Sequence, residues 1–313
     1  MINSCNIISD FCEPHVQKKI LHLYNNLQKH GLLLDNVRLE QNDFDIENNN
    51  LFFVTFNRRT EQNLRNLMQK INFKKRQVII ISDNRENYFD FAMEYNICNI
   101  MHINNLNEAM LLGILKIFFK KESGLEFFFE EEKNIFDKHY SISGNISIHN
   151  LIENTFADFI DKIHLAAKST FIINCHELIT NAIAYGVLGI TAHARDKKAH
   201  DIGLYANMDI PQDKKVKIHL TMNENFYGIS VRDSGGTLTI QRILERIRRQ
   251  SIVAGETIPQ GIEDHTGRGL VILSHHGLLF FSIKPGEFTD VSLISQIKAH
   301  FEKRPISILA KEL

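Results

Sequence analysis

The sequence predicts an α/β protein of two domains, the first of them a doubly wound parallel sheet. Three observations predict it. The chain has 313 residues, and at roughly 150 residues per domain that length suits two. Over the first part of the chain, short apolar runs alternate five times with stretches of helical periodicity, the βα alternation of a parallel sheet. Glycine is unevenly spread: of 16 glycines only Gly31, Gly113, Gly124 and Gly144 precede residue 150. Glycine lets a backbone come close to a ligand, so chemistry is expected in the second half.

The elements follow in order. Cys5–Ile8 reads as a strand, and Pro14 suits a helix start, with Val16, Ile20, Leu23 and Leu27 at helical spacing until Gly31. Val37–Leu39 and Leu51–Phe56 are the second and third strands, followed by a helix through Leu64, Leu67, Met68 and Ile71. Val78–Ile81, rich in β-branched residues, reads as a strand buried on both faces. A helix marked by Phe89, Ala92 and Met93, a strand Ile97–His102 and a helix Leu106–Phe119 complete the set.

Composition excludes several classes. With 36 Lys+Arg against 37 Asp+Glu, the formal net charge is −1, whereas a nucleic-acid binder shows a basic excess. Four cysteines in this length are no disulfide scaffold, and Cys5, Cys98 and Cys175 read as buried thiols. Met1–Asp10 shows no basic segment leading into an apolar core. The longest apolar stretch, Ala109 to Phe119, is shorter than the roughly 18 residues that span a bilayer. A cytoplasmic protein without membrane or nucleic-acid partners is expected.

The βα order over residues 1–122 resembles a response-regulator receiver domain. Where a receiver has an acidic pair after its first strand, Ser9-Asp10-Phe11 offers only Asp10. Where it has a phosphoacceptor Asp, Phe53-Val54-Thr55-Phe56-Asn57 has no carboxylate. Ser82 fills the hydroxyl position after strand four, and His102-Ile103-Asn104 stands where a Lys is required. The expectation is a pseudo-receiver, a binding or dimerisation module. A connection over 123–150 follows, in which Ser141–Ile148 alternates as a strand or hairpin and Glu130-Glu131-Glu132-Lys133 reads as a solvated face.

The second half carries three boxes. Leu151, Phe156, Phe159, Ile160 and Ile163 form a helix-like set, and a second helix spans Thr170 to Tyr185. Within it, Glu177 and Asn181 are four apart in His176-Glu177-Leu178-Ile179-Thr180-Asn181-Ala182-Ile183-Ala184-Tyr185-Gly186 and so share one face. A carboxylate and an amide oxygen so stacked suit a hard cation and a water. Val216–Met222 and Phe226–Val231 read as a hairpin about the turn Asn223-Glu224-Asn225. The hairpin delivers Asp233-Ser234-Gly235-Gly236-Thr237, where a carboxylate could accept from an adenine amino group and glycine amides could face phosphate. After a helix at Ile240, Ile243, Leu244 and Ile247, a polar stretch Ser251–Thr266 ends in Gly267-Arg268-Gly269-Leu270, glycines that open an apolar helix and suit phosphate. Strands Leu278–Ile283 and Thr289–Leu293 close the chain.

Asp233 follows Glu177 by 56 positions and Gly267 follows Asp233 by 34. In order and spacing, residues 150–300 resemble the GHKL ATPase superfamily, a two-layer α/β sandwich of Bergerat type. The resemblance implies Glu177 as the catalytic or water-polarising carboxylate and Asn181 as Mg²⁺ ligand. It implies Asp233 at adenine with Gly235 shaping that pocket, and Gly267, Arg268, Gly269 and Leu270 at the phosphates beneath a lid over 251–266. Thr237 stands where the family's first glycine box has its second Gly.

Among the superfamily's branches, the chain resembles the anti-sigma-factor serine kinases. His149 lies 28 residues before Glu177, too close for a histidine kinase's two-helix hairpin, and reads as a strand-end residue. His176-Glu177 lacks the second His of a zinc motif, since position 180 is Thr. His275-His276 reads as surface or capping, and the basic helix Arg242–Arg249 as solvated. The resemblance implies ATP and Mg²⁺ as cofactors. It implies a protein partner, either a sigma factor or a STAS-type antagonist with a phosphorylatable Ser or Thr. A homodimer is compatible with it. The expected activity is that of a Mg-dependent serine/threonine protein kinase. The alternatives are a non-catalytic ATP-binding module and an atypical histidine kinase using His149.

Overall fold

The computed structural model describes residues 5–30, 37–40, 49–56, 61–70, 77–82, 88–120, 124–126, 128–129, 133–190, 207–251, 258–261, 268–297 and 306–313. Among these the chain divides into two compact units, the first from residues up to 122 and the second from 123 onward. It is an α/β protein, as its sequence predicts, and the strands of the first unit are parallel.

In the first unit, strands β1 (Cys5–Phe11), β2 (Val37–Glu40), β3 (Asn49–Thr55), β4 (Gln77–Ser82) and β5 (Ile100–His102) alternate with helices α1 (Pro14–Lys29), α2 (Glu61–Lys70), α3 (Phe89–Glu94) and α4 (Glu108–Lys120). Strand order is β2-β1-β3-β4-β5, every pair parallel. Val78, Ile79, Ile80 and Ile81 are all buried, as strands covered on both faces must be. Pro14 opens α1, whose Val16, Ile20, Leu23 and Leu27 are buried, and Asn26 of α1 donates to Glu108 of α4 at 2.8 Å. The last strand is shorter than expected: Ile97 to Asn99 precede it without strand pairing of their own, except that the Asn99 carbonyl accepts from Ile80 N–H.

In the second unit, β6 (Phe136–Ile142) and the short β7 (Gly144–Ile146) precede two brief helical turns, α5 (Ile148–Asn150) and α6 (Ala157–Ile160). Helix α7 (Leu165–Asn181) follows. After it come β8 (Met208–Ile210), β9 (Val216–Met222), β10 (Phe226–Asp233), α8 (Ile240–Gln250), α9 (Arg268–His276), β11 (Leu278–Lys284), β12 (Phe288–Gln296) and β13 (Ile308–Glu312). The strands order as β13-β11-β12-β10-β9-β6. β13 is parallel to β11 and the other pairs are antiparallel. β7 and β8 pair separately. His149 sits in the turn α5, not at a strand end, where its Nε2 lies 3.0 Å from Glu153. Ser147 caps that turn, which favours helix over strand at this point.

Local chemistry sets the register of this sheet. The Asn223 side chain accepts from the N–H of Asn225 and Phe226 at 3.0 and 2.9 Å, an Asx turn that fixes the β9–β10 hairpin. Alternation then sorts β10 by face. Tyr227 turns toward the helices, meeting Phe159 and Phe171 edge-on, and Asp233 is on its side by parity. Gly228 lies on the other face, under Leu125 and Phe129. Cys98 and Cys175 are buried free thiols, as expected, and so is Cys12; the side chain of Cys5 is outside the described residues.

Candidate functional site

The site begins with a change of helix type. α7 ends at Asn181 and the chain continues through a π-helical turn over Ala182–Val187, where Leu188 N–H bonds the Ile183 carbonyl. The wider turn carries Gly186 to the end of β10. A Cβ on Gly186 would stand 2.1 Å from Cγ of Asp233, and one on Gly235 would stand 1.8 Å from the Gly186 carbonyl oxygen. Only glycine at both positions lets the helix end and the Asp233 turn meet this closely.

Asp233 is buried at 6% exposure. Its Oδ1 accepts from the N–H groups of Gly235 and Gly236 at 2.8 and 3.3 Å. Burial raises its pKa above the ordinary carboxylate range, partly offset by those bonds and by one from Thr289 N–H. On α7, Asn181 Nδ2 donates to Glu177 Oε1 at 3.1 Å. With its nitrogen so used, what Asn181 can offer a cation is Oδ1. The start of α9 approaches the same carboxylate: a Cβ on Gly269 would fall 1.7 Å from Glu177 Oε1.

These pieces surround one cavity of about 430 Å³, a size suited to a small organic ligand. Asn181, Asp233 and Leu270 line it, with Tyr185, Gly186 and Thr237. Glu177 and Gly269 stand beside it, packed on one another, and Gly235 supports its floor through Gly186. Arg268 is exposed at the start of α9. Gly267 and most of the expected lid over 251–266 lie outside the described residues.

Sequence reasoning missed several lining residues, among them Thr289, Val291, Arg242, Glu245 and Arg246. Thr289 and Val291 reach the cavity from β12 because they stand opposite Asp233 and Val231, a juxtaposition only strand register provides. Arg242 and Arg246 reach it from α8, which corrects the reading of this helix as a plainly solvated face. Ile243, Leu244 and Ile247 are buried, and that anchoring turns the two arginines to the cavity. The Arg246 guanidinium lies 4.9 Å over the Tyr185 ring. The signal was present as helical period. Thr239 caps α8, accepting from Arg242 N–H at 3.3 Å.

The remaining motif residues divide. His276 is buried, not superficial, with Nδ1 2.6 Å from Asn174 Oδ1. His176 lies 3.4 Å from Thr180 Oγ1. In the first unit Ser82 is buried and pairs with Tyr88, whose phenol burial pushes up to about 12. His102 is buried too, its Nδ1 accepting from Asn104 N–H at 3.2 Å. The Lys19 ammonium reaches the Ile103 carbonyl at 2.6 Å. The Asp10 side chain and Asn57 are outside the described residues.

The cavity therefore combines one buried carboxylate acceptor, one oxygen donor for a cation, a carboxylate beside it, and at its wall two guanidinium groups with the Glu245 carboxylate. That set can hold a base with an exocyclic amino group and an anionic tail. No protein-family model matches the chain, and no curated protein matches it.

Proposed function

We propose that the second unit is an ATP- and Mg²⁺-binding domain of the GHKL type, a Bergerat-type two-layer sandwich in the branch of the anti-sigma-factor serine kinases. In this reading the first unit, with its flavodoxin-like strand order, is a receiver-like module without a phosphoacceptor. One observation carries the proposal. Three segments far apart in sequence, Glu177–Asn181, Asp233–Gly235 and Gly269–Leu270, meet around a single cavity at contacts only glycine permits.

The residues fit the ligand by their chemistry. Buried Asp233 is an acceptor for an adenine N6 amino group, a contact that disfavours guanine's carbonyl there. Asn181 supplies an oxygen to Mg²⁺, a hard cation, which when bound would neutralise charge on the phosphates. Arg242 and Arg246 favour the anionic end of the nucleotide. Glu177 takes the proton of an incoming serine or threonine hydroxyl as its oxygen bonds to the γ-phosphorus. The bond from that phosphorus to the bridging oxygen breaks and ADP leaves. The partner is a protein carrying that hydroxyl, of the sigma-factor or STAS-antagonist kind, and the compartment is the cytoplasm. Among the described residues no helix is long and apolar enough to cross a membrane.

A second reading has its own observation. Thr237 occupies the place of a second glycine, and its Oγ1 donates to the Tyr185 carbonyl at 3.4 Å, closing that side of the cavity. A binding module that uses ATP without transferring phosphate would tolerate this.

Phosphotransfer separates the two. The protein is incubated with Mg²⁺ and γ-labelled ATP, with a panel of STAS-type proteins as acceptors, and acid-stable label is measured. The kinase reading expects phosphoserine or phosphothreonine on an acceptor, abolished by Glu177→Gln with ATP affinity retained. Nucleotide binding without transfer to any acceptor supports the module, and absence of nucleotide binding overturns both.

A further inference from the structure

The sheet of the second unit has another chemical face. β6 and β9 pair antiparallel with His139 directly opposite His219 and Asp137 two residues further along the same face. The imidazoles stack at 3.9 Å between centroids, 20° from parallel. Asp137 Oδ1 lies 2.5 Å from His219 Nε2. One ligand atom from each of the three residues lies within 4.8 Å of the other two. Ser230, opposite His219 on β10, has the opposite parity to Asp233, so this cluster is across the sheet from the nucleotide cavity.

We propose that Asp137, His139 and His219 bind a borderline transition-metal dication of the Zn²⁺ class. Two imidazoles and one carboxylate are the donors such ions prefer, whereas Mg²⁺ and Ca²⁺ take oxygen ligands. Metal–ligand bonds of about 2.0–2.2 Å set tetrahedral donor separations near 3.4 Å. The His219–Asp137 pair at 2.5 Å would have to open to that separation and the third donor to close to it. His139 and Asp137 are exposed, so rotation about their side-chain bonds allows both. Three protein ligands leave a fourth position open. His139 and His219 also line a cavity of about 310 Å³ with Glu126, Lys217, Arg232 and Asp290, room from which water could complete the shell.

The site also has a structural purpose. Among the described residues β6 pairs on one side only, with β9, and of its residues only Phe136 and Ile142 are buried. An edge strand so poorly anchored gains most from a cross-strand ligand pair, because metal bound by the folded form alone stabilises that form by mass action. A plain hydrogen-bonded His–His–Asp cluster explains the contacts without a metal, and the two accounts differ in what Zn²⁺ does.

The full chain, stripped with chelator and free of nucleotide, is titrated with Zn²⁺ by calorimetry. Co²⁺ absorption reports the coordination number. The proposal expects one saturable site per chain, a four-coordinate Co²⁺ spectrum and a melting temperature raised by Zn²⁺. His139→Gln should weaken Zn²⁺ by about tenfold or more and Asp137→Asn by a lesser factor, at the scale on which ligand-shell changes act. Both positions are exposed, so circular dichroism in chelator should show the wild-type fold; His219→Gln adds to the series where it folds. Absence of saturable Zn²⁺ binding to the folded wild type overturns the proposal. So does unchanged affinity in folded His139→Gln, which would send the metal to other histidines.

Discussion

The two units use the same α/β ingredients in opposite ways. The first buries the described side chains of β3, β4 and β5 on both faces, so that those of Val78 to Ile81 contribute packing alone. The second covers one face of a mixed sheet with helices and sets polar groups on the other, where Ser230, Arg232 and Asp290 form a connected set; β10, β11 and β12 stay mostly buried there, and side chains become exposed at β9 and β6. Ser230 Oγ donates to Asp290 at 2.5 Å and Arg232 Nε at 2.8 Å. A sheet buried on both sides is stable but has little room for a site. A sheet whose edge strands open to solvent and whose other face meets helices closely has room for polar groups on each, and depends on more exacting contacts.

The contrast can be broken first at its costliest point. Asp290 is nearly fully buried and Arg232 is its cation at 2.7 Å. Arg232→Ala leaves that carboxylate without its cation, held by the Ser230 and Ser292 hydroxyls alone, and should destabilise by about 3 kcal/mol, read by urea unfolding. Next comes a pair of opposite insults. Ile80→Ala empties space at a fully buried position and should cost about 2–5 kcal/mol, with nucleotide affinity per folded molecule unchanged. Gly235→Ala forces a methyl against the Gly186 carbonyl and should cost about 1–3 kcal/mol, with nucleotide affinity lost. Equal affinity loss in both variants would deny that the close contacts belong to the site.

Titration sharpens the comparison at smaller amplitude. Asp233 has its carboxyl raised, chiefly by burial. A carboxyl raised in the folded state holds its proton more tightly there than in the unfolded chain. Its contribution to stability is therefore complete below the ordinary carboxylate range and is lost as pH rises through the raised value. Asp233→Asn mimics the neutral group. Its melting temperature should gain on the wild type as pH climbs through that window, while its affinity for ATP falls. The smallest effect belongs to the exposed pair Lys138–Asp158: Lys138→Ala should shift stability by less than about 1 kcal/mol.

Legibility followed the strength of periodic signals. β4 and the β9–β10 hairpin could be read directly, the one from its unbroken β-branched run and the other from alternation about Asn223. β6 was misjudged in extent, because Phe136-Asp137-Lys138-His139-Tyr140-Ser141-Ile142 buries only its ends and an edge strand leaves little apolar pattern. β13 could not be read either: five residues parallel to β11 carry no turn signal linking them to it. In the site, Glu177 and Asn181 were legible because four residues make one helical turn. Thr289, Val291 and the His139–His219 pair were not, because strand register joins residues that sequence separates. Arg242 and Arg246 were visible but misread, since their direction depends on which way Ile243 and Ile247 are buried.

The central claim is that the cavity at Asn181 and Asp233 takes Mg²⁺ and ATP. Calorimetric titration of the full chain with ATP in the presence of Mg²⁺ tests it most directly, beside folded Asp233→Asn and Asn181→Ala. One saturable site per chain is expected, with affinity for ATP over GTP, weakened about tenfold or more by Asp233→Asn, whose oxygen stays on the Gly235 and Gly236 amides and whose nitrogen then meets the adenine amino group donor to donor. In Asn181→Ala, the dependence of affinity on Mg²⁺ should disappear. A folded wild type that takes up no ATP, or variants that bind it as the wild type does, would contradict the account.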